Sequence, residues 1–186
     1  VNLCDHRQVL GVSCGDYRRH GAFAEFVNVP ARIVHVLPDA LGFNEAAMIE
    51  AVSVGVHAVR LTPCAPGDTA VVVGTGMIGL LTLQAARIAG FAQVVAVDTE
   101  DDRLAVAIEL GATHRFNAKT DGDLAKFVQG LTKGQGADAA FECVNTPYAS
   151  TYCMKWCKSD LDCTGLDFCN ALNPPLFAGP VEYGLC

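Results

Sequence analysis

The chain has no long apolar run, no block of basic residues and no tight Cys-x-x-Cys pair. The first absence excludes a membrane-spanning helix, which needs about 20 mostly apolar residues. The second argues against a nucleic-acid partner, as does a formal charge of -7 from 13 Lys and Arg against 20 Asp and Glu. The third leaves the easiest zinc-site spacing unrepresented. Internal repeats and low-complexity tracts are missing too. The start, Val1-Asn-Leu-Cys-Asp-His-Arg, has neither a Met nor the charged-then-apolar layout of a signal peptide. The chain is therefore expected to be an excerpt, or a product cut at its front. At 186 residues and 51% hydrophobic it can hold one sizeable domain with appendages.

What is present centres on Thr69-Ala-Val-Val-Val-Gly74-Thr75-Gly76-Met77-Ile78-Gly79. A β-branched run enters three glycines spaced Gly-x-Gly-x-x-Gly, and an apolar helical stretch leaves them. A second apolar run, Gln93 to Val97, ends on Asp98. This is the outline of a dinucleotide-binding βαβ unit. Gly74 permits a tight turn, Gly76 lets the backbone approach a pyrophosphate, and Gly79 lets helix and strand pack closely. The helix N-terminus, at Met77 and Ile78, offers N–H groups and a positive dipole end to phosphates. Asp98 can accept hydrogen bonds from a ribose 2′-hydroxyl. The acids that follow, Glu100, Asp101 and Asp102, would repel a 2′-phosphate, so NAD is expected rather than NADP. The same acids also suit the first turn of a helix. Arg103 can lie over an adenine or pair with these acids.

Around this unit, Gly21–Pro30 and Ile33–Leu37 read as strands. Asn44 reads as the cap of a helix over Glu45–Arg60, with Ala47, Ile49, Val52, Val56 and Val59 on its apolar face. Gly55 inside it suggests close packing against another element. Helices are expected over Met77–Ala89, Arg103–Leu110 and Asp123–Leu131, with Gly111 ending the second. Strands are expected near Thr113–Phe116 and Ala137–Val144. The alternation implies an α/β fold, a partial doubly wound parallel sheet of Rossmann-like type. After Asn145 the alternation is no longer legible.

Six segments occur in an order that resembles the zinc-containing medium-chain alcohol dehydrogenases, most of all the polyol, sorbitol and threonine dehydrogenase branch. They are Asn2-Leu-Cys4, Gly21–Phe26, Ile49–His57, the glycine motif, Asp98 and Phe141-Glu-Cys-Val144. The resemblance covers about residues 1 to 145. It implies a remnant of a GroES-like β-barrel over 1–44, a partial NAD-binding domain over 45–145, and a Cys-rich tail of unrelated character over 146–186. It further implies oxidation of an alcohol or polyol in the cytoplasm, with zinc as Lewis acid and NAD as hydride acceptor. Gly74, Gly76, Met77, Ile78, Gly79, Asp98, Arg103 and Val144 carry over as cofactor-binding positions. Glu50 matches an acidic position facing the catalytic zinc, and Cys4 the last ligand of the structural zinc. The remaining ligands would lie before Val1, so neither metal site is expected to close. His57 is not a ligand in the family, and a packed or hydrogen-bonded helix histidine is expected. His6, His20, His35 and His114 stand alone and are expected on surfaces or loops.

The nine cysteines divide unevenly. Cys4, Cys14, Cys64 and Cys143 are scattered, as free thiols of a cytosolic enzyme would be. Cys153, Cys157, Cys163, Cys169 and Cys186 crowd the tail, where the spacing allows a zinc site, two disulfides or a foreign sequence without selected function. The Ala137–Val144 strand would present an open apolar edge, which the tail or a second copy of the chain would have to cover. The functional expectation is a fragment of an NAD-linked zinc alcohol dehydrogenase, inactive by itself. The alternatives are a non-catalytic dinucleotide-binding module, or a Cys-rich interaction protein carrying a vestigial dehydrogenase part.

Overall fold

A computed structural model describes residues 10–11 and 20–143, together with the backbone of 154–157, 170–171 and 184–185. The chain divides into two compact units, Val1–Gly42 and Phe43–Cys186.

In the first unit the described residues form one 3₁₀ turn, Ala31–Ile33, and no strand. The expected strands Gly21–Pro30 and Ile33–Leu37 are therefore absent. A strand exists only by exchanging ladder hydrogen bonds with a neighbour, and these segments pair with none among the described residues. Phe23, Phe26 and Val36 are consequently exposed. The expected barrel remnant has no counterpart in the described part of this unit.

The second unit opens with α1 (Phe43–Ala46) and α2 (Ile49–Arg60). It continues as β1 (Thr69–Val73), α3 (Met77–Ala89), β2 (Gln93–Asp98), α4 (Asp101–Glu109), β3 (His114–Asn117), α5 (Leu124–Leu131) and β4 (Ala139–Glu142). Strands β1 to β4 are parallel in the order β3-β2-β1-β4. Side chains alternate across the sheet. Val72, Val94, Ala96 and Phe141 pack with α2, α3 and α4, while Val71, Val95, Val97 and Ala140 pack with α5. Helices on both faces make this a doubly wound sheet. They also explain why its strands read as unbroken apolar runs rather than alternating ones. The Phe91 and Phe141 rings meet edge to face, with centroids 6.3 Å apart. Asp138 ties the start of β1 to that of β4: its Oδ2 accepts from Thr69 N at 2.8 Å and its own N–H donates to Thr69 O at 2.9 Å.

Two further expectations are corrected. Asn44 lies inside α1 instead of capping one long helix, and the chain breaks between α1 and α2. Of the expected apolar face only Val59 is buried, together with Ala51, Gly55 and Ala58 of α2; Ile49, Val52 and Val56 are exposed, as is Ala47, which precedes the helix. Close approach decides this. A Cβ placed on Gly55 would lie 2.9 Å from Thr82 N of α3, so only small side chains fit on the seam.

The outer edge of β4 is not open. Strand β5 (Met154–Cys157) pairs with it antiparallel, Glu142 opposite Met154 and Phe141 opposite Lys155. Two-residue strands β6 (Asn170–Ala171) and β7 (Gly184–Leu185) extend the sheet in the order β5-β7-β6. The tail thus supplies the ladder partner, which removes the open edge as a ground for association between copies. Cys64 is a free, exposed thiol. Cys143 is disulfide-bonded rather than free, against the expectation for the front section.

Candidate functional site

The carboxyl ends of β1 and β2 build the site. Gly74 follows β1 with φ 90°, a left-handed conformation that a side chain would strain, and its N–H donates to Val97 O at 2.8 Å. A Cβ on Gly79 would drive into the Gly74 carbonyl, so α3 can approach the turn only through a glycine. A Cβ on Gly76 would meet nothing within 4 Å. Gly76 is the N-cap of α3, and no side chain caps it. The first-turn N–H groups of Met77, Ile78 and Gly79 have no intrahelical acceptor. Open space above Gly76, an uncapped helix end and a tight turn together fit a pyrophosphate.

Asp98 ends β2 beside this turn and is 9% exposed. Its Oδ2 accepts from Thr75 N at 2.8 Å and from the Thr75 hydroxyl at 2.9 Å. Its Oδ1 accepts from Thr99 N at 2.7 Å and Glu100 N at 3.1 Å. Burial by itself would push the carboxyl's pKa up. The hydrogen bonds from Thr75, Thr99 and Glu100 outweigh that and hold it below the usual carboxylate range. Asp98 is therefore a fixed, ionised acceptor.

Charged side chains rim this acceptor. Arg103 Nη1 lies 3.9 Å from Asp98 Oδ2. Lys119 Nζ donates to Glu100 Oε1 at 2.8 Å, and this contact holds the Glu100 carboxyl below its ordinary value. Arg115 Nη1 lies 3.7 Å from Asp101 Oδ1. Asp101 and Asp102 occupy the first turn of α4, where carboxylates favour the dipole.

Across the turn, Glu142 is β1's register neighbour at Val73. Its Oε2 is buried without a hydrogen-bond partner, and burial pushes the carboxyl up. Val144, the remaining expected cofactor position, lies outside the described residues.

The two expected metal positions belong to different sites, Glu50 to the catalytic zinc and Cys4 to the structural one. Glu50 is exposed in the first turn of α2, and Cys4 lies outside the described residues. His57 is exposed rather than packed, lining an open groove with Ser53, Val56, Arg60 and Leu61. Among the described residues no group of three His, Cys, Asp or Glu could hold a metal ion. The described donor set therefore does not fit zinc. His114, expected on a surface or loop, is half-buried in β3, with its Nδ1 2.9 Å from the Thr113 hydroxyl.

Sequence reasoning missed Thr75, whose side chain is fully buried against Asp98. A threonine between two motif glycines was the available signal. Lys119 was missed too, since nothing in its spacing ties it to Glu100. No helix among the described residues is long and apolar enough to cross a membrane.

Residues 78–165 match the family model for zinc-binding dehydrogenases, and the match continues past Asn145. Sorbitol dehydrogenase of Bacillus subtilis (strain 168) is 35% identical over 148 residues, 80% of this chain and 40% of that protein. The (R,R)-butanediol dehydrogenase of the same organism is 36% identical over 146 residues, 78% of this chain and 40% of that protein. The crystal structure of 2R,3R-butanediol dehydrogenase from Bacillus subtilis superposes with a TM-score of 0.64 at 34% identity, covering 72% of this chain and 38% of that one. The chain spans about 40% of the length of the curated relatives it matches.

Proposed function

Since the chain belongs to the zinc-binding dehydrogenase family, we propose that its glycine turn and Asp98 bind the adenosine diphosphate half of NAD. The space over Gly76, beside a buried carboxylate held ionised, is the observation that carries this reading. Met77, Ile78 and Gly79 would present N–H groups to the pyrophosphate, and Asp98 would take the adenosine ribose. Arg103, 3.9 Å from Asp98, offsets part of the acidic charge and would flank the adenine. The acids Glu100, Asp101 and Asp102 disfavour a 2′-phosphate, which supports NAD over NADP.

When bound, NAD supplies a hydride acceptor for the oxidation of a secondary alcohol, of the polyol class suggested by the relatives. The described residues position the adenosine end. They do not assemble donors for zinc, so no step of alcohol activation is derived from them. On this reading the chain by itself binds the dinucleotide without turning over alcohol.

Calorimetric titration of the purified chain with NAD and with ADP-ribose tests the proposal. Both are expected to bind. Asp98→Ala removes the ribose acceptor and releases three main-chain N–H groups that shape the turn. It is expected to weaken binding by about ten-fold or more. Absence of heat in the millimolar range, or unchanged binding in the variant, would refute the reading. NAD reduction by the chain supplied with sorbitol and Zn²⁺ would refute the statement about turnover.

A further inference from the structure

A carboxylate offers about four acceptor directions, and on Asp98 the protein already uses four. Thr75 N–H and its hydroxyl occupy Oδ2, and the N–H groups of Thr99 and Glu100 occupy Oδ1. A ribose hydroxyl reaching Asp98 therefore meets an acceptor with no vacant lone pair. Three of the four donors are main-chain groups, fixed by the glycine turn and by the entry to α4. The Thr75 hydroxyl is the fourth, and it alone turns on a side-chain bond. Its residue is fully buried, so it holds its position without competition from solvent.

We propose that Thr75 is a specificity-determining positioning residue: its hydroxyl keeps the ribose's place on Asp98 Oδ2 and is the donor that the ribose 2′-hydroxyl replaces. The inference rests on the dinucleotide reading above. Two consequences follow from exchanging one hydrogen bond for another. In the free protein the buried carboxylate never lacks a partner. On binding, the 2′-hydroxyl gains less than it would from an open charged acceptor, because a protein bond is given up for it. The Thr75 hydroxyl thus sets how strongly the site distinguishes a ribose from a 2′-deoxyribose.

The test compares ADP with 2′-deoxy-ADP by calorimetry on the full chain. Thr75→Val keeps the side-chain volume and the main-chain N–H but removes the hydroxyl, leaving Oδ2 open to the ligand. The ratio of the 2′-deoxy-ADP Kd to the ADP Kd is expected to rise about five-fold over wild type. Thr75→Ser, which keeps the hydroxyl, is expected to show the wild-type ratio. A role confined to shaping the turn would weaken both nucleotides alike. An unchanged or lowered ratio in Thr75→Val, with wild type binding ADP, therefore overturns the proposal alone. Failure of the wild type to bind ADP overturns the dinucleotide reading, and the proposal with it. Should the valine variant not fold, Thr75→Ala takes its place. A smaller rise in the same ratio is then expected, because water can partly replace the hydroxyl, and no rise overturns the proposal.

Discussion

Replacing Gly55 and Gly130 by alanine should change stability in opposite directions, although both lie within helices. Gly55 sits where α2 crosses α3, and a Cβ there would lie 2.9 Å from Thr82 N and 3.0 Å from Thr82 Cα. These are main-chain atoms in the middle of α3, so they cannot swing aside as the end of a side chain would. Alanine gains about 1 kcal/mol of helix propensity over glycine, while overpacking a tight seam costs about 1–3 kcal/mol. A rigid neighbour places Gly55→Ala toward the upper part of that range, for a net loss of about 1–2 kcal/mol. Gly130, in α5, has nothing within 4 Å of its would-be Cβ and no positive φ. Only propensity acts there, so Gly130→Ala should gain about 0.5–1 kcal/mol. Urea unfolding of both variants measures the difference, with an unchanged slope confirming that only stability moved. In thermal unfolding each kcal/mol corresponds to about 2–4 °C for a chain of this size. A Gly55→Ala variant as stable as wild type would show that α2 and α3 do not approach this closely.

The two perturbed carboxylates should tilt stability against pH in opposite senses. Glu142 has its carboxyl pushed up by burial, so the folded state keeps this proton to higher pH than the unfolded state. Stability is then lost as pH rises from the ordinary Glu range through the raised folded value. Urea midpoints from about pH 4 to about pH 8 should fall less steeply in Glu142→Gln, and identical slopes would count against an unpaired buried carboxylate. Asp98 is held below its ordinary value, so its contribution is present above the unfolded pKa and is lost as pH falls through the folded one. Asp98→Asn should flatten the acid limb below about pH 4, and an unaltered limb would refute the four-bond network.

The parallel sheet was legible because strands buried on both faces show as continuous apolar runs between glycines and polar turns. The strand order β3-β2-β1-β4 needs more than that alternation, because right-handed crossovers leave open where the order reverses. Helix α3 falls on its expected bounds, and α4, α5 and β1 to β4 differ only at their ends, whereas β5 to β7 were not expected. The face of α2 was not legible. Large residues such as Ile49, Val52 and Val56 dominate any estimate of an apolar face, yet a close helix crossing selects Ala51, Gly55 and Ala58. The segment from Gly21 to Leu37 misled for a different reason. Its pattern suits strands, but pairing is a property of two segments, and a single segment cannot announce its partner. The same limit hid the pairing of β5 with β4. At the site, the glycines and Asp98 carried a spacing signal. Thr75 lay within that spacing, but its bond to Asp98 depends on a rotamer that spacing does not reveal.

The pairing of β5 with β4 also bears on how much of a dinucleotide the described residues would hold on the proposed reading. In a doubly wound sheet the ligand lies in the crevice at the carboxyl ends of the strands, where the order reverses. Here the order reverses between β1 and β4, which is where that crevice would lie. Its β1-β2-β3 wall is preorganised. Asp98 is fully bonded, and Asn117 donates to Asp101 Oδ1 at 3.1 Å and accepts from Lys119 N at 2.9 Å. Little ordering remains to be done there when a ligand binds. The β4 wall differs. Its neighbour β5 runs antiparallel, so Met154, the first residue of β5, lies beside Glu142 where a parallel strand would deliver its carboxyl-end loop. Glu142 itself keeps an unpaired oxygen. Affinity from the described residues should therefore reside in the adenosine diphosphate moiety, and ADP-ribose should bind within about three-fold of NAD, a difference of well under 1 kcal/mol. Calorimetric titration with the two ligands decides the matter. NAD binding more than about ten-fold tighter than ADP-ribose would mean that the β4 wall grips the nicotinamide end, and the argument from strand direction would fall.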